Sequence, residues 1–344
     1  MRHRRASVTD IARAAGVSIA TVSRAMNQPA MVQAETLSRV RRAALELGYV
    51  PNRKAQALAS GRSRIVGVNV PTLDSTIFSA LLQTMQRTLY AEGYQLLVTS
   101  NEYDPTAEAT ALAQLIAHGV DALVVVGGAR PESTLRLIEE SRLPVVQVLC
   151  GAPGHDTVGA DNHAAGELIA GHVADLGHRR IGVIVGETLT NDRQRARIAG
   201  VRAALAARGV RLDAGRVVET GLTIGDGRAA ARMLMQISPA PTAIIGTLDV
   251  LAVGAMMELR DAGLDVPGDV SVGGIDNIAF AAHIAPALST VDIPSSEIGA
   301  EAARAIIARL SGAETGPPRD MALPVSLIVR ASTGPVRAGG DDAS

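Results

Sequence analysis

The sequence predicts an α/β protein: a small N-terminal head of three helices in helix-turn-helix order, then a body of two doubly wound parallel sheets that form two lobes. Three observations predict this. Residues 1–64 hold twelve Arg and Lys against three Asp and Glu, and the other 280 hold 21 against 31. A basic head therefore precedes an acidic body, and the net charge of −1 conceals the split. Within the head, two short helical repeats meet at Gly16. From Ile65 onward, β-rich runs alternate with amphipathic helical segments, the pattern of parallel sheets covered by helices on both faces.

The head reads VTDIARAAGVSIATVSRAMN from Val8 to Asn27. Thr9 can cap a helix running to about Ala15, with Ile11, Ala14 and Ala15 apolar at helical spacing. Gly16 permits the positive φ of a tight turn, and Val17 fills the corner. Ser18 caps a second helix, about Ile19–Met26, whose apolar residues are Val22, Ala25 and Met26. A third, about Glu35–Leu47, stops at Gly48. In this plan the second helix enters a duplex major groove. Ser18, Thr21 and Ser23 carry short hydroxyls suited to phosphate, Arg24 can reach a guanine edge, and Ile19 and Ala20 suit thymine methyls. Pro51 to Gly61 is a short helical stretch between a proline start and a glycine stop, too short to hold a helix alone in water.

In the body, strands are expected at Ile65–Val70, Gln95–Ser100, Ala122–Val126 and Val145–Val148, with helices near 75–91, 105–117 and 131–141 between them. The run GVDALVVVGG has the continuous apolar character of a buried parallel strand. A second series follows: a helix from about His163, strands at Arg180–Val185, Val217–Thr220, Ala243–Gly246 and Val270–Gly273, and helices near 191–207, 225–237 and 251–262. Ligands of such sheets bind at strand C-termini, and between two lobes the cleft is the natural place. Asp161, Arg193, Arg197, Asp249 and Asp276 all fall just after strand-like runs, and Phe78 follows the first strand. Arginine beside carboxylates is a means of fixing hydroxyls or an acid group. Asp161 and Asp249 could equally cap the helices that follow them.

Composition narrows the function classes. No apolar run approaches the length of a membrane span, and the basic start lacks the apolar segment of an export signal. Cys150 is the only cysteine, so no intramolecular disulfide is possible. These features predict a cytoplasmic protein. Lys54 is the only lysine, which excludes a GxxxxGK phosphate loop, and no HExxH or CxxC occurs. No catalytic residues, cofactor or metal site are expected. His163 and His172, near Asp161, fit ordinary surface or capping roles. An exported sugar receptor and an α/β enzyme carrying a DNA-binding head are the alternative classes; the basic head argues against the first, and the lack of a nucleophile–base set against the second.

DIARAAGVSIATVSRAMN, followed by LGYVPNRKAQALASG, resembles the head of the LacI/GalR family of bacterial transcriptional regulators. LGHRRIGVI (176–184), RIAGVRAAL (197–205), DVLAVGAM (249–256) and VPGDVSVGGIDN (266–277) are similar to recurring phrases of that family's periplasmic-binding-protein-like domain. The resemblance implies a head at 1–50, a hinge helix at 51–62, a two-lobed effector and dimerisation domain at 63–334 and a disordered tail at 335–344. It places Ser7, Ser18, Thr21, Ser23 and Asn27 at phosphate-contacting positions, and Ile19, Ala20 and Arg24 at base-reading ones. Leu58 matches a leucine that wedges into the minor groove, with Asn52, Arg53 and Gln56 facing backbone or minor-groove edges.

By the same likeness the chain crosses back to the first lobe after about Val291, with a helix at Ser295–Leu310, and a strand near Val325–Ile328 closes the second lobe. Phe78 packs on the ligand, and Arg197 and Asp276 gain weight as ligand-binding residues. Leu222 stands where relatives often carry an aromatic ring. Few stacking rings, with Arg193, Arg195 and Arg197 nearby, favour a small polar effector, a sugar or more particularly a sugar acid. The implied partners are near-palindromic operator DNA, a second copy of the chain and that effector, with no membrane. Repression of a catabolic or transport operon is the expected outcome, with activation as the alternative.

Overall fold

The computed structural model describes residues 6–27, 29–49 and 61–337, without the side chains of residues 27 and 29. The described residues form two compact units that divide between Ser63 and Arg64. In the first, α1 (Val8–Ala15), α2 (Ile19–Asn27), a 3₁₀ turn at Pro29–Met31 and α3 (Ala34–Glu46) follow in order. Ser7, rather than Thr9, caps α1. Its Oγ accepts from the Asp10 N–H (3.3 Å) while the Asp10 carboxylate accepts from the Ser7 N–H (2.9 Å), a reciprocal capping box. An acidic residue three places on gives Ser7 a partner for this exchange. Gly16 ends α1 at φ +63°, a conformation that costs a residue with a Cβ. Ile11, Ala12, Ala15, Val22, Ala25, Val40 and Ala43 form the core. Ala12 takes the buried place expected of Ala14, which is exposed.

The second unit contains β1 (Ile65–Val70), β2 (Gln95–Ser100), β3 (Ala122–Val126), β4 (Val145–Leu149), β5 (Asp156–Ala160) and β11 (Asp320–Leu323), which form one parallel sheet in the order β11-β5-β4-β3-β1-β2. Strands β6 (Ile181–Gly186), β7 (Val217–Thr220), β8 (Ala243–Gly246), β9 (Ser271–Asp276), β10 (Ser289–Asp292) and β12 (Ser326–Ile328) form the other, in the order β12-β10-β9-β8-β6-β7, with only β12 antiparallel. Helices α4 (Thr76–Ala91), α5 (Pro105–Ala117), α6 (Glu132–Ser141) and α11 (Ser295–Ser311) cover the first sheet. The second is covered by α7 (Asn162–Asp175), α8 (Asp192–Ala207), α9 (Ile224–Met235) and α10 (Asp249–Asp261).

Each central strand is buried on both faces. On β3, Ala122, Val124 and Val126 join one apolar core while Leu123 and Val125 join another, as the two-residue period of a strand requires. The chain changes lobe after β5, after β10 and after β11. Three strands exceed the sequence expectation: β5, implied only by the strand-like run before Asp161, and β10 and β11. All three are short, and β5 and β10 carry Asp, Ser, Thr or Gly among few apolar residues. The Val336 N–H donates to the Leu176 carbonyl (3.1 Å) and Arg337 Nη1 lies 2.6 Å from Asp269 Oδ1. The segment expected to be disordered from 335 is therefore tied to the second lobe as far as Arg337. Residues 338–344 lie outside the described residues. Among the described residues, no helix is long and apolar enough to cross a membrane.

Candidate functional site

At the start of α2, Ser18 Oγ accepts from the Thr21 N–H (3.1 Å) and lies 2.9 Å from Thr21 Oγ1. The cap fixes the helix entry and leaves Ser18, Ile19, Ala20, Ser23 and Arg24 exposed, opposite the buried Val22 and Ala25; Thr21 is half-buried. Ile19, 53% exposed, is a large apolar side chain at a helix start with no core to cover it. Ser7 Oγ donates to Asp10 Oδ2 (2.6 Å), so its hydroxyl is engaged in the cap of α1. Asn27 ends α2. Asn52, Arg53, Gln56 and Leu58 lie outside the described residues.

A cavity of about 380 Å³ lies between the lobes at the C-terminal ends of both sheets. The loop after β1 and the first turn of α4, residues 72–79, form one wall together with Tyr103 and Leu149. The facing wall comes from the loops after β6, β7, β8 and β9. Phe78, Arg193, Arg197, Leu222 and Asp276 all line it. Asp161 and Asp249 do not. Asp161 is exposed and caps α7, its Oδ1 accepting from the Ala164 N–H (2.9 Å). Asp249 is fully buried behind the wall, where Oδ2 accepts from the Ile278 N–H (2.9 Å) and Oδ1 from Thr290 Oγ1 (2.5 Å). Burial, then the nearby Asp276 carboxylate, pushes its pKa up to about 7. Asp249 thus pins the loop after β9 from the rear.

Helix α8 brings the arginines to the cavity. Asn191 Oδ1 caps it through the Gln194 N–H (3.3 Å), and Arg193 and Arg197, four residues apart, share a face. Gly166 on α7 and Gly200 on α8 bring the two helices close: a Cβ at either would strike a carbonyl, of Arg197 or His163 respectively. Arg197 Nη1 lies 2.8 Å from Asp276 Oδ1 and also donates to the Thr247 carbonyl (2.7 Å), while Nε donates to Asn162 Oδ1 (2.9 Å). Asp276 has φ +130°, a strained conformation for a residue with a Cβ. Burial raises its pKa, and Arg197 opposes the rise. Arg193 Nη1 lies 3.2 Å from Asp192 Oδ1. Arg195 is exposed and turns away, donating to the Thr188 and Leu189 carbonyls (2.7 and 2.8 Å).

Sequence reasoning missed four residues here. Tyr103, at φ +62° in the loop after β2, lines the cavity and bonds Arg193, and burial raises its phenol pKa. Asn191 and Gln194 also line it; Gln194 Oε1 accepts from the Gly186 N–H (3.1 Å) and Thr247 Oγ1 (2.5 Å). Asp192, from the second lobe, reaches the first, where Oδ2 accepts from the Gly128 N–H (2.7 Å) and the Ala129 N–H (3.2 Å). Burial works against that charge, but Arg193 and the Gly128 N–H outweigh it, and the carboxyl stays below its ordinary range. Cys150 beside it is pushed up to about 12, chiefly by burial, so its thiol stays protonated.

The cavity is thus mostly apolar, with a convergent polar set whose charges balance: Asp74 and Asp276 against Arg193 and Arg197. Such a set can orient a compact ligand rich in hydroxyls.

Comparison with known proteins agrees with this arrangement. Residues 7–52 match the family model "Bacterial regulatory proteins, lacI family", and residues 170–333 match "Periplasmic binding protein-like domain". The HTH-type transcriptional regulator DegA of Bacillus subtilis (strain 168) is 32% identical over 335 residues, 96% of this chain and 98% of DegA. The lac repressor dimer bound to operator and the anti-inducer ONPF superposes with a TM-score of 0.85 at 26% identity, over 96% of this chain and 100% of that one. The complex of the transcriptional regulator CelR with cellobiose gives 0.72 at 28% identity, over 95% and 100%. The relatives are transcriptional regulators rather than enzymes. The chain belongs to the LacI family of bacterial regulatory proteins and is a DNA-binding transcriptional regulator.

Proposed function

We propose that this regulator is a repressor that binds a near-palindromic operator as a homodimer, and that a neutral sugar held between the lobes controls its grip. Each subunit lays α2 in a major groove. Ser18, Thr21 and Ser23 take phosphates, and Ile19, Ala20 and Arg24 take base edges. Ser7 and Asn27 hold the flanking backbone. Residues 51–62 act as a hinge in the minor groove, with Leu58 as its wedge and Asn52, Arg53 and Gln56 beside it. The first-lobe helix α4 is the proposed centre of the dimer contact.

The observation that carries the effector assignment is the pairing of both cavity arginines. Arg197 has Asp276 at 2.8 Å and Arg193 has Asp192 at 3.2 Å. A sugar acid needs an uncompensated cation, and the third arginine of the segment, Arg195, points away. Neutral hydroxyls can use the spare donors and acceptors of such pairs without displacing either partner. The neutral sugar therefore fits better than the acid that composition favoured. Phe78 and Leu222 supply apolar surface for its C–H faces. Calorimetric titration with a panel of neutral sugars, uronic acids and aldonic acids tests this. Binding of neutral sugars alone is expected; binding of acids alone overturns the assignment.

A further inference from the structure

We infer that Arg64 is a positioning residue through which helix α4 passes the state of the cleft to the chain leading to the head; this rests on the coupling of cleft to DNA proposed above. Arg64 is the first residue of the second unit, just after the proposed hinge. It has φ +56°, the left-handed conformation, although it carries a Cβ. Such a backbone persists only where its surroundings hold it, and it collects at functional places. Three bonds hold it here. The Arg64 N–H donates to Asp121 Oδ2 (2.8 Å), the Arg64 carbonyl accepts from the Gln95 N–H (2.8 Å), and the Ile65 carbonyl accepts from the Asp121 N–H (2.8 Å). The chain is thus fixed to the starts of β2 and β3 as it enters β1.

The side chain of the same residue grips α4. Nη1 donates to the carbonyl of Glu92, the C-cap of α4, and the guanidinium stands over the Tyr94 ring, 5.4 Å from its centroid (the hydrogen bond is 3.0 Å). Gly93 leaves room for it: a Cβ there would lie 3.3 Å from Nη1. At its other end α4 forms a wall of the cavity, with Phe78 in its first turn. The 16 residues between these ends span about 24 Å. Phe78, Leu81, Met85 and Leu89 are buried along one face and seat the helix on its sheet. Midway, Thr84 Oγ1 donates to the Ser296 carbonyl (2.7 Å) at the start of α11, where the chain has just crossed from the second lobe. One packed helix therefore meets the cavity, the lobe crossing and Arg64, the kind of contiguous element that carries coupling. An exposed guanidinium adds little stability. What its grip fixes is the direction in which the chain leaves the lobe.

The test measures operator affinity of the full chain by anisotropy, with and without the tightest binder among glucose, galactose, ribose, cellobiose, glucuronate and gluconate. In the unaltered chain that probe should shift operator affinity about 5–150-fold. Arg64→Asn keeps a residue that tolerates positive φ but cannot reach the Glu92 carbonyl. It should reduce the shift to within about twofold, with probe affinity and melting curve unchanged. Arg64→Lys, which keeps a cation for that carbonyl, should retain the larger part of the shift. Asp121→Ala removes the backbone acceptor without touching the guanidinium and should weaken the shift as Arg64→Asn does. A full shift in Arg64→Asn overturns the role of Arg64 alone. So does a loss of shift accompanied by early melting or weaker probe binding, which would make Arg64 a support of the fold. No shift in the unaltered chain, with the probe bound, overturns the coupling of cleft to DNA and the role of Arg64 with it.

Discussion

Arg197 and Asp276 form an ion pair with Nη1 and Oδ1 2.8 Å apart and with side chains only 5% and 6% exposed. The pair joins α8 to the end of β9 at the floor of the cleft. Burying two charges gains little net stability even when the geometry is good, whereas removing one partner leaves the other stranded. The pair is therefore weak evidence for fold stability, and both of its residues line the cavity.

Arg197→Met should destabilise the second unit by about 3–5 kcal/mol, because it strands the Asp276 carboxylate. Adding Asp276→Leu should restore most of that stability while sugar binding stays absent. Urea denaturation and calorimetry read the two effects separately. A double variant that still binds sugar would show that the pair only supports the fold.

Asp192 is the residue through which the second lobe grips the first. Asp192→Ala removes two charge-assisted hydrogen bonds, worth about 1.5–3 kcal/mol each at most, from the contact between the lobes. Effector affinity should fall about tenfold or more, and the radius of gyration from small-angle scattering should rise. Unchanged scattering and affinity would mean that the lobes close without this contact.

The sign of the pH dependence follows from Asp249. Its folded pKa, about 7, exceeds the ordinary 3.8. Its contribution to stability is thus fully present below about 4 and is lost as pH rises through about 7. Asp249→Asn removes this titration, so the difference in thermal stability between wild type and variant should shift in favour of the variant as pH rises from about 4 to about 7. A difference that is flat across this range would contradict the burial argument.

In the head, Ser7→Ala removes the capping box and should cost about 1 kcal/mol of α1 stability, read as faster amide exchange in that helix. Arg24→Ala should leave the melting curve unchanged but lose about 1–3 kcal/mol of discrimination at one operator base pair. An unaltered operator preference would remove Arg24 from base reading.

Much of this was legible in the sequence because two signals were strong. Buried strands such as Ala122–Val126 are unbroken apolar runs, and Gly16 between two helical repeats allows few other readings. Strands β5 and β10 escaped because their apolar residues are few, and β11 because it is only four residues long and its pairing is non-local: β11 meets β5 from more than 150 residues away. Residues just after strands could be placed near the cleft, but not sorted. Asp249 and Asp276 both follow strands directly, and only the family resemblance set them apart; one pins a loop from behind and the other lines the cavity. Tyr103 was hidden because its position depends on a positive φ that no local pattern demanded. The pairing of Arg193 and Arg197 with carboxylates, which redirects the effector assignment, depends on contacts between separate loops and on side-chain direction, neither of which spacing encodes.

Fluorescence anisotropy of a selected operator duplex, titrated with the full chain with and without a saturating neutral sugar that binds the cleft, tests the central claim most directly. The sugar should shift operator affinity by about 5–150-fold, the range expected of coupled sites in one molecule. An operator affinity identical in both titrations, with the sugar demonstrably bound, would contradict the coupling of cleft to DNA on which the account rests.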